Sequence, residues 1–280
     1  MESSRCVSSK YMCHPWRTVT HEVNCPVRVL PTTFNDSFNR FEIAHYIHAA
    51  NRVAETVPVG GPMSCLMKIP QNIQLLFELN VPTTLERKSI GVVIGVNHDF
   101  RHIFIGFRST NDLFQLLAQY LVFQMGWMED FPLGGKMVAI YVQIYKDILN
   151  FGFDASLEQA VSSFPSYSLL VTGHSLGGAM ATVFSLHVAL RYPLKPVSLY
   201  AWSGPRSGDE TFVRMLREHT VPTPHHNTFE VFYPTHMTTD NYKICDQAES
   251  ETCLKGSWWK TFFSHIFMFD MNFFNHQRMG

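Results

Sequence analysis

The stretch SLLVTGHSLGGAMATVFSLHVALRY, residues 168–192, decides how the rest of the chain is read. Its opening, with Leu169, Leu170 and Val171 in succession, is a short apolar strand, and residues 176–192 continue as a helix that Pro193 closes. Between them stands Gly173-His174-Ser175-Leu176-Gly177-Gly178, a G-x-S-x-G sequence. Alone, such a match is weak; between a strand and a helix it specifies a sharp turn. Glycine must stand on both sides of the serine, because the strand and helix approach too closely for larger side chains. This geometry predicts that Ser175 Oγ is exposed at the carboxyl edge of a sheet. It also aims the backbone N–H of Leu176 at an oxygen that becomes negative during acyl transfer. The plainer alternative is a tight turn that happens to contain serine.

Working outward, residues 197–202 read as another strand, and residues 90–96 and 102–107 as a hairpin around Asn97-His98-Asp99. Near-helical apolar spacing predicts helices at 41–56, 137–149 and 157–164, with Gly134-Gly135 as a break. Leu113, Leu116, Leu117, Tyr120 and Leu121 make 112–124 an amphipathic helix. Residues 59–88 are expected to be an irregular surface excursion with a short apolar run at 73–79. Strands alternating with helices predict a mostly parallel central sheet with helices on both faces. No repeat or low-complexity linker divides the chain, so an irregular segment 1–40 is expected to precede a single domain over 41–280.

Composition bounds the partners. The chain has 280 residues, with 22 Lys and Arg against 23 Asp and Glu, and no basic stripe to hold a phosphate backbone; nucleic acid is not expected. Charged residues are only 16% and aromatic residues reach 14%, 23 of them Phe. Its apolar runs fall far short of the roughly 20 residues that span a bilayer, and no signal-peptide core is visible near the start. The six cysteines, Cys6, Cys13, Cys25, Cys65, Cys245 and Cys253, match no zinc spacing. The acidic flanks of Cys245 and Cys253 favour a local disulfide over a buried thiol, and with it an oxidising compartment. Asn35-Asp36-Ser37 has the form of a glycosylation acceptor, a triplet common enough by chance to add little.

Three signposts carry a family resemblance: Phe107-Arg108-Ser109-Thr110, residues 171–179 around Ser175, and Gly204-Pro205-Arg206-Ser207-Gly208. They resemble the fungal-type triacylglycerol lipases, also called class 3 lipases. The tail, with His225-His226, residues 230–233, Cys245 and Ser264-His265, is most similar to nematode-type members. The resemblance implies an α/β-hydrolase fold, a Ser-His-Asp triad, a helical lid and carboxylic-ester substrates at a lipid–water interface, with no metal or organic cofactor. It also favours a secreted protein. It assigns the second oxyanion-hole N–H to Thr110 beside that of Leu176. The family usually has glycine where this chain has Ser109. The helix at 112–124 takes the lid position, the bland alternative being a helix packed permanently on the core.

The general base must reach Ser175 from a loop after the last strand, and His265 resembles the family's late Asp-His motif with Ser264 in place of the Asp. His225-His226 is read as structural. The acid is harder to place. The family carries it after a strand between the helix following Gly-Pro-Arg and the pair at 225–226; here residues 213–224 contain no Asp and are too few for a strand and loop. Asp209 matches a structural position. Asp240, after a strand at 229–233, is the least implausible substitute. Two readings stay open: another carboxylate such as Asp240 reaches His265, or the chain is a shortened, catalytically impaired lipid-binding relative.

Overall fold

The computed structural model describes residues 35–53, 70–83, 89–109, 127–220, 230–232, 242–245, 267–268, 271–272 and 277–278, which fall within one unit, Phe34–Gly280. Five strands form the central sheet in the order β1 (Ile73–Pro82), β2 (Ser89–Asn97), β3 (His102–Phe107), β6 (Ser168–His174) and β7 (Val197–Trp202). The β1–β2 and β2–β3 pairs are antiparallel; β3–β6 and β6–β7 are parallel. The sheet is therefore mixed rather than mostly parallel. A tight turn reverses the chain between β2 and β3, whereas each parallel pair needs a crossover, and helices supply it.

The same strands explain why the sheet has two cores. On β2, β3 and β6, Val92, Ile94, Ile103, Ile105, Leu169 and Val171 point to one face, and Val93, Phe104 and Leu170 point to the other. The first face packs against α3 (Ala139–Asn150), α4 (Phe153–Ser163) and α5 (Leu176–Arg191). The second is covered by a segment made of α1 (Asp36–Phe38), a π-helical turn (Asn39–Ile43) and α2 (Ala44–Asn51), which contributes Ile43, Tyr46, Ile47 and Ala50. Burial on both faces removes any alternation of polar and apolar residues, so these strands read as continuous apolar runs. Helix α5 is buried without interruption from Leu176 to Leu186, as expected of a helix apolar all round.

Several elements differ from the sequence expectation. The excursion over 59–88 contains strand β1. A register shift between Leu75 and Phe77 breaks its two-residue alternation, and its place at the sheet edge leaves much of it half-exposed. Around Gly134-Gly135 the chain makes a hairpin, β4 (Met128–Asp130) with β5 (Lys136–Val138), both glycines having positive φ. The helix expected at 137 accordingly starts at Ala139, the next begins at Phe153, and the first ends at Asn51. After α6 (Glu210–His219), β8 (Glu230–Phe232) pairs with β9 (Lys243–Cys245), so Cys245 ends a strand rather than lying in a loop. Three short antiparallel strands, β10 (Phe267–Met268), β11 (Met271–Asn272) and β12 (Gln277–Arg278), follow. Among the described residues, no strand pairs with β7 on its outer side.

Candidate active site

The parallel centre of the sheet places the serine turn. Phe107 on β3 lies beside Gly173 on β6, which in turn lies beside Ala201 on β7, so the three carboxyl ends converge where β6 turns into α5. Ser175 occupies that turn with φ 57° and ψ −122°, a region that costs a side-chain-bearing residue about 1–3 kcal/mol. Neighbouring structure holds it there: the Ser175 N–H donates to Trp202 O at 2.9 Å, and the Ser175 carbonyl accepts from Ala179 N–H at 3.0 Å.

Contacts made by the flanking glycines account for the motif. A Cβ on Gly173 would sit 2.2 Å from Gly177 O, and one on Gly177 would sit 2.2 Å from Phe107 O. Both neighbours are backbone, which has no rotamer to give way. Gly178 packs on Gly204, where an added Cβ would come within 2.9 Å of the Gly204 Cα, so the Gly-Pro-Arg segment is tied to the elbow by a glycine–glycine contact. That segment is also pinned from outside. Val138 N–H donates to Ser207 O, Asp209 N–H donates to Lys136 O, and Asp209 Oδ1 caps α6 by accepting from Phe212 N–H at 3.0 Å. Asp209 is thus structural, as its place in the motif suggested.

Leu176 is the first residue of α5, so its N–H is among those with no acceptor inside the helix, and the helix dipole adds partial positive charge at the same point. Ser175 and Leu176 thus stand side by side at one helix start. The structure corrects one expectation. Ser175 is only 2% exposed, so the elbow lies beneath the surface instead of presenting the hydroxyl to solvent. Thr110, the helix at 112–124, His265 and Asp240 lie outside the described residues, as do all cysteines except Cys245.

Three residues that the sequence reading left without a role support the turn. Arg108 donates through Nη1 to Val53 O and through Nη2 to Ser89 O and to Ser89 Oγ, the last at 3.1 Å. One guanidinium thus ties the end of the α2 segment and the start of β2 to the strand that leads into 109–110. Ser109 donates its N–H to Asn51 Oδ1 at 2.9 Å, and its Oγ lies 3.0 Å from His174 Nδ1. Asn51 is fully buried and ends α2. A planar, five-donor side chain at a strand end was a signal that the sequence did contain.

Strongly perturbed titrating groups sit at the opposite end of β3 from Phe107. His102 accepts or donates across 2.6 Å to Tyr46 Oη, Asn97 Nδ2 donates to Tyr46 Oη and Glu42 Oε2, and Tyr46, Asn97 and His102 are buried while Glu42 is half-buried. Burial pushes His102 down to about 4 and the Tyr46 phenol well above its usual range. Burial also raises Glu42, against the lowering effect of Asn97. Among the described residues, no group of three or more His, Cys, Asp or Glu is arranged to hold a metal ion.

A mixed sheet with a strained serine between β6 and a buried α5 defines an α/β-hydrolase fold with a serine elbow. Residues 104–234, the segment that carries the elbow, match the family model described as lipase (class 3). The lipase of Rhizopus niveus is 28% identical over 192 residues, 61% of this chain and 48% of that protein. The chain spans about half the length of the curated relatives it matches. The solved Rhizomucor miehei triacylglyceride lipase superposes with a TM-score of 0.66 at 18% identity, covering 86% of this chain and 97% of that one. Another solved triacylglycerol lipase, whose catalytic centre is a serine protease triad, gives 0.65 at 18% identity, covering 86% and 97%. These structural likenesses concern the fold.

Proposed function

We propose that this protein is a serine hydrolase of carboxylic esters that acts on acylglycerols at a lipid–water interface. The observation that carries the reading is the backbone of Ser175: a non-glycine residue held at φ 57° and ψ −122° between a strand and a helix start, with Gly173 and Gly177 packed against backbone on either side. In this reading Ser175 Oγ attacks the ester carbonyl carbon and its proton passes to His265. The N–H groups of Leu176 and Thr110 hold the resulting oxyanion. The C–O bond then breaks, the alcohol leaves with the proton from His265, and water repeats the sequence to release the acid and restore Ser175. Asp240 is assigned as the carboxylate that orients His265.

Enclosure of Ser175 supports an interfacial enzyme, because a substrate reaches a 2% exposed serine only after a covering segment moves. Residues 112–124, with their apolar stripe, are assigned that role and the lipid contact. A Cys245–Cys253 disulfide and secretion complete the proposal. Labelling with a fluorophosphonate probe and hydrolysis of an emulsified triacylglycerol test it together. Both are expected in the wild type and neither in Ser175→Ala. A folded wild-type protein that leaves the probe unreacted would overturn the assignment and favour a non-catalytic lipid binder.

A further inference from the structure

A buried polar pair joins the chain just after β3 to the last residue of β6, next to Ser175. Ser109 Oγ is 3.0 Å from His174 Nδ1, and the two residues are 6% and 1% exposed. From the other side, Asn51 Oδ1 accepts the Ser109 N–H at 2.9 Å. Ser109 is therefore held at both its backbone and its side chain, by the end of α2 and by the last residue of β6. Covalent order gives these contacts their meaning. Ser109 immediately precedes Thr110, and His174 immediately precedes Ser175.

We propose that Ser109 is a positioning residue for the acyl-transfer site: its hydrogen bond to His174 fixes the chain immediately before Thr110 against the strand end immediately before Ser175. The inference rests on the serine-hydrolase reading and adds to it a residue that touches neither substrate nor reacting atoms. Its physical basis is the precision such a site demands. Two N–H donors stabilise an oxyanion only when both lie at hydrogen-bond distance from the same point, and a misplacement of about 1 Å costs on the order of 10²-fold. A residue without a side chain at 109 is free to sample more backbone conformations. Serine tied at its N–H and Oγ is not, and its bond is made in a water-poor interior where such bonds are strong and costly to break. Either imidazole tautomer serves, since the hydroxyl donates to a bare Nδ1 or accepts from Nδ1–H.

The test uses the full chain and the variants Ser109→Ala, Ser109→Gly and Ser109→Thr, compared in hydrolysis of a soluble p-nitrophenyl ester, rate of fluorophosphonate labelling and the nitrogen NMR signals of His174. Ser109→Ala and Ser109→Gly are expected to lower kcat about tenfold with KM changed less than about twofold, and to slow labelling in proportion. Their His174 ring signals shift because the partner is gone. Ser109→Thr keeps the hydroxyl and is expected to retain kcat within about threefold. Unchanged kcat in Ser109→Ala and Ser109→Gly of an otherwise active protein overturns the inference alone. A lowered kcat that Ser109→Thr fails to restore, alongside a lowered melting temperature, also overturns it, in favour of a general packing role. A wild-type protein that neither labels nor hydrolyses removes the reading of Ser175 itself, and the positioning role with it.

Discussion

Gly177→Ala tests the close approach on which the elbow depends. The added Cβ would lie 2.2 Å from Phe107 O, 2.8 Å from the Phe107 carbonyl carbon and 2.9 Å from Arg108 O. Ordinary contact begins at 3.4 Å, so the start of α5 and the end of β3 must separate by about 1.2 Å, the difference between 3.4 and 2.2. All three obstructing atoms are backbone, so the strain cannot be absorbed by a side-chain rotation. Overpacking of this kind costs about 1–3 kcal/mol, which for a domain of this size lowers the melting temperature by roughly 2–12 °C. The displacement also carries the Leu176 N–H away from the chain at Arg108 and Ser109, and a shift near 1 Å is expected to reduce kcat/KM by about 10²-fold in the fraction that remains folded. Circular-dichroism melts and ester hydrolysis per folded molecule measure the two effects separately. Gly152→Ala is the control. Gly152 has φ 97° and no atom within 4 Å of an added Cβ, so the variant bears only backbone strain of about 1–2 kcal/mol and keeps wild-type kcat/KM. A folded Gly177→Ala protein with wild-type melting and turnover would refute the close-contact explanation, as would an equal loss of turnover in Gly152→Ala.

Three further outcomes follow from the geometry. Ser175→Gly is expected to be more stable than Ser175→Ala by about 1 kcal/mol, because glycine accepts φ 57° without strain and alanine does not; equal melting temperatures for these two inactive variants would sink the strain argument. His102, held at about 4 against an ordinary value of 6.5, binds its proton more readily in the unfolded chain. Its contribution to stability is therefore complete above pH 6.5 and is lost as pH falls towards 4, with a slope of up to about 1.4 kcal/mol per pH unit. Glu42, raised by burial, works in the opposite sense as its carboxyl takes up a proton, and the Tyr46 and Tyr200 phenols stay neutral throughout. Urea midpoints across this range should therefore flatten specifically in His102→Gln. Arg108→Met removes donors to two carbonyls and a hydroxyl and is expected to cost about 2 kcal/mol, with Arg108→Lys restoring less than half, since one ammonium cannot match the fork; full recovery in Arg108→Lys, read by urea denaturation, would contradict the clamp.

Much of the framework was legible along the chain because it is made of local patterns. The 168–192 stretch declared its strand, turn and helix through apolar run length and paired glycines, and the 90–107 hairpin through β-branched residues around Asn97-His98-Asp99. Strand β1 was not legible, because the register shift at Leu75 and Phe77 spoils the period on which strand recognition depends. The β4–β5 hairpin was hidden for a related reason: strands of three residues have no period to read.

The site divides along the same line. Residue type and order alone determine that Ser175 stands between glycines on a strand-to-helix turn, since an elbow is a property of neighbouring residues. Only the folded chain decides that Gly177 must be bare because Phe107 O lies against it, that Arg108 joins the ends of two other elements, and that Ser109 meets His174. Contacts between residues 65 or 70 positions apart leave no local trace, because the partners become neighbours only when β3 and β6 pair in parallel. Burial of Ser175 belongs with these tertiary facts: a turn sequence specifies where the hydroxyl points, and the packing of the whole domain decides whether solvent reaches it.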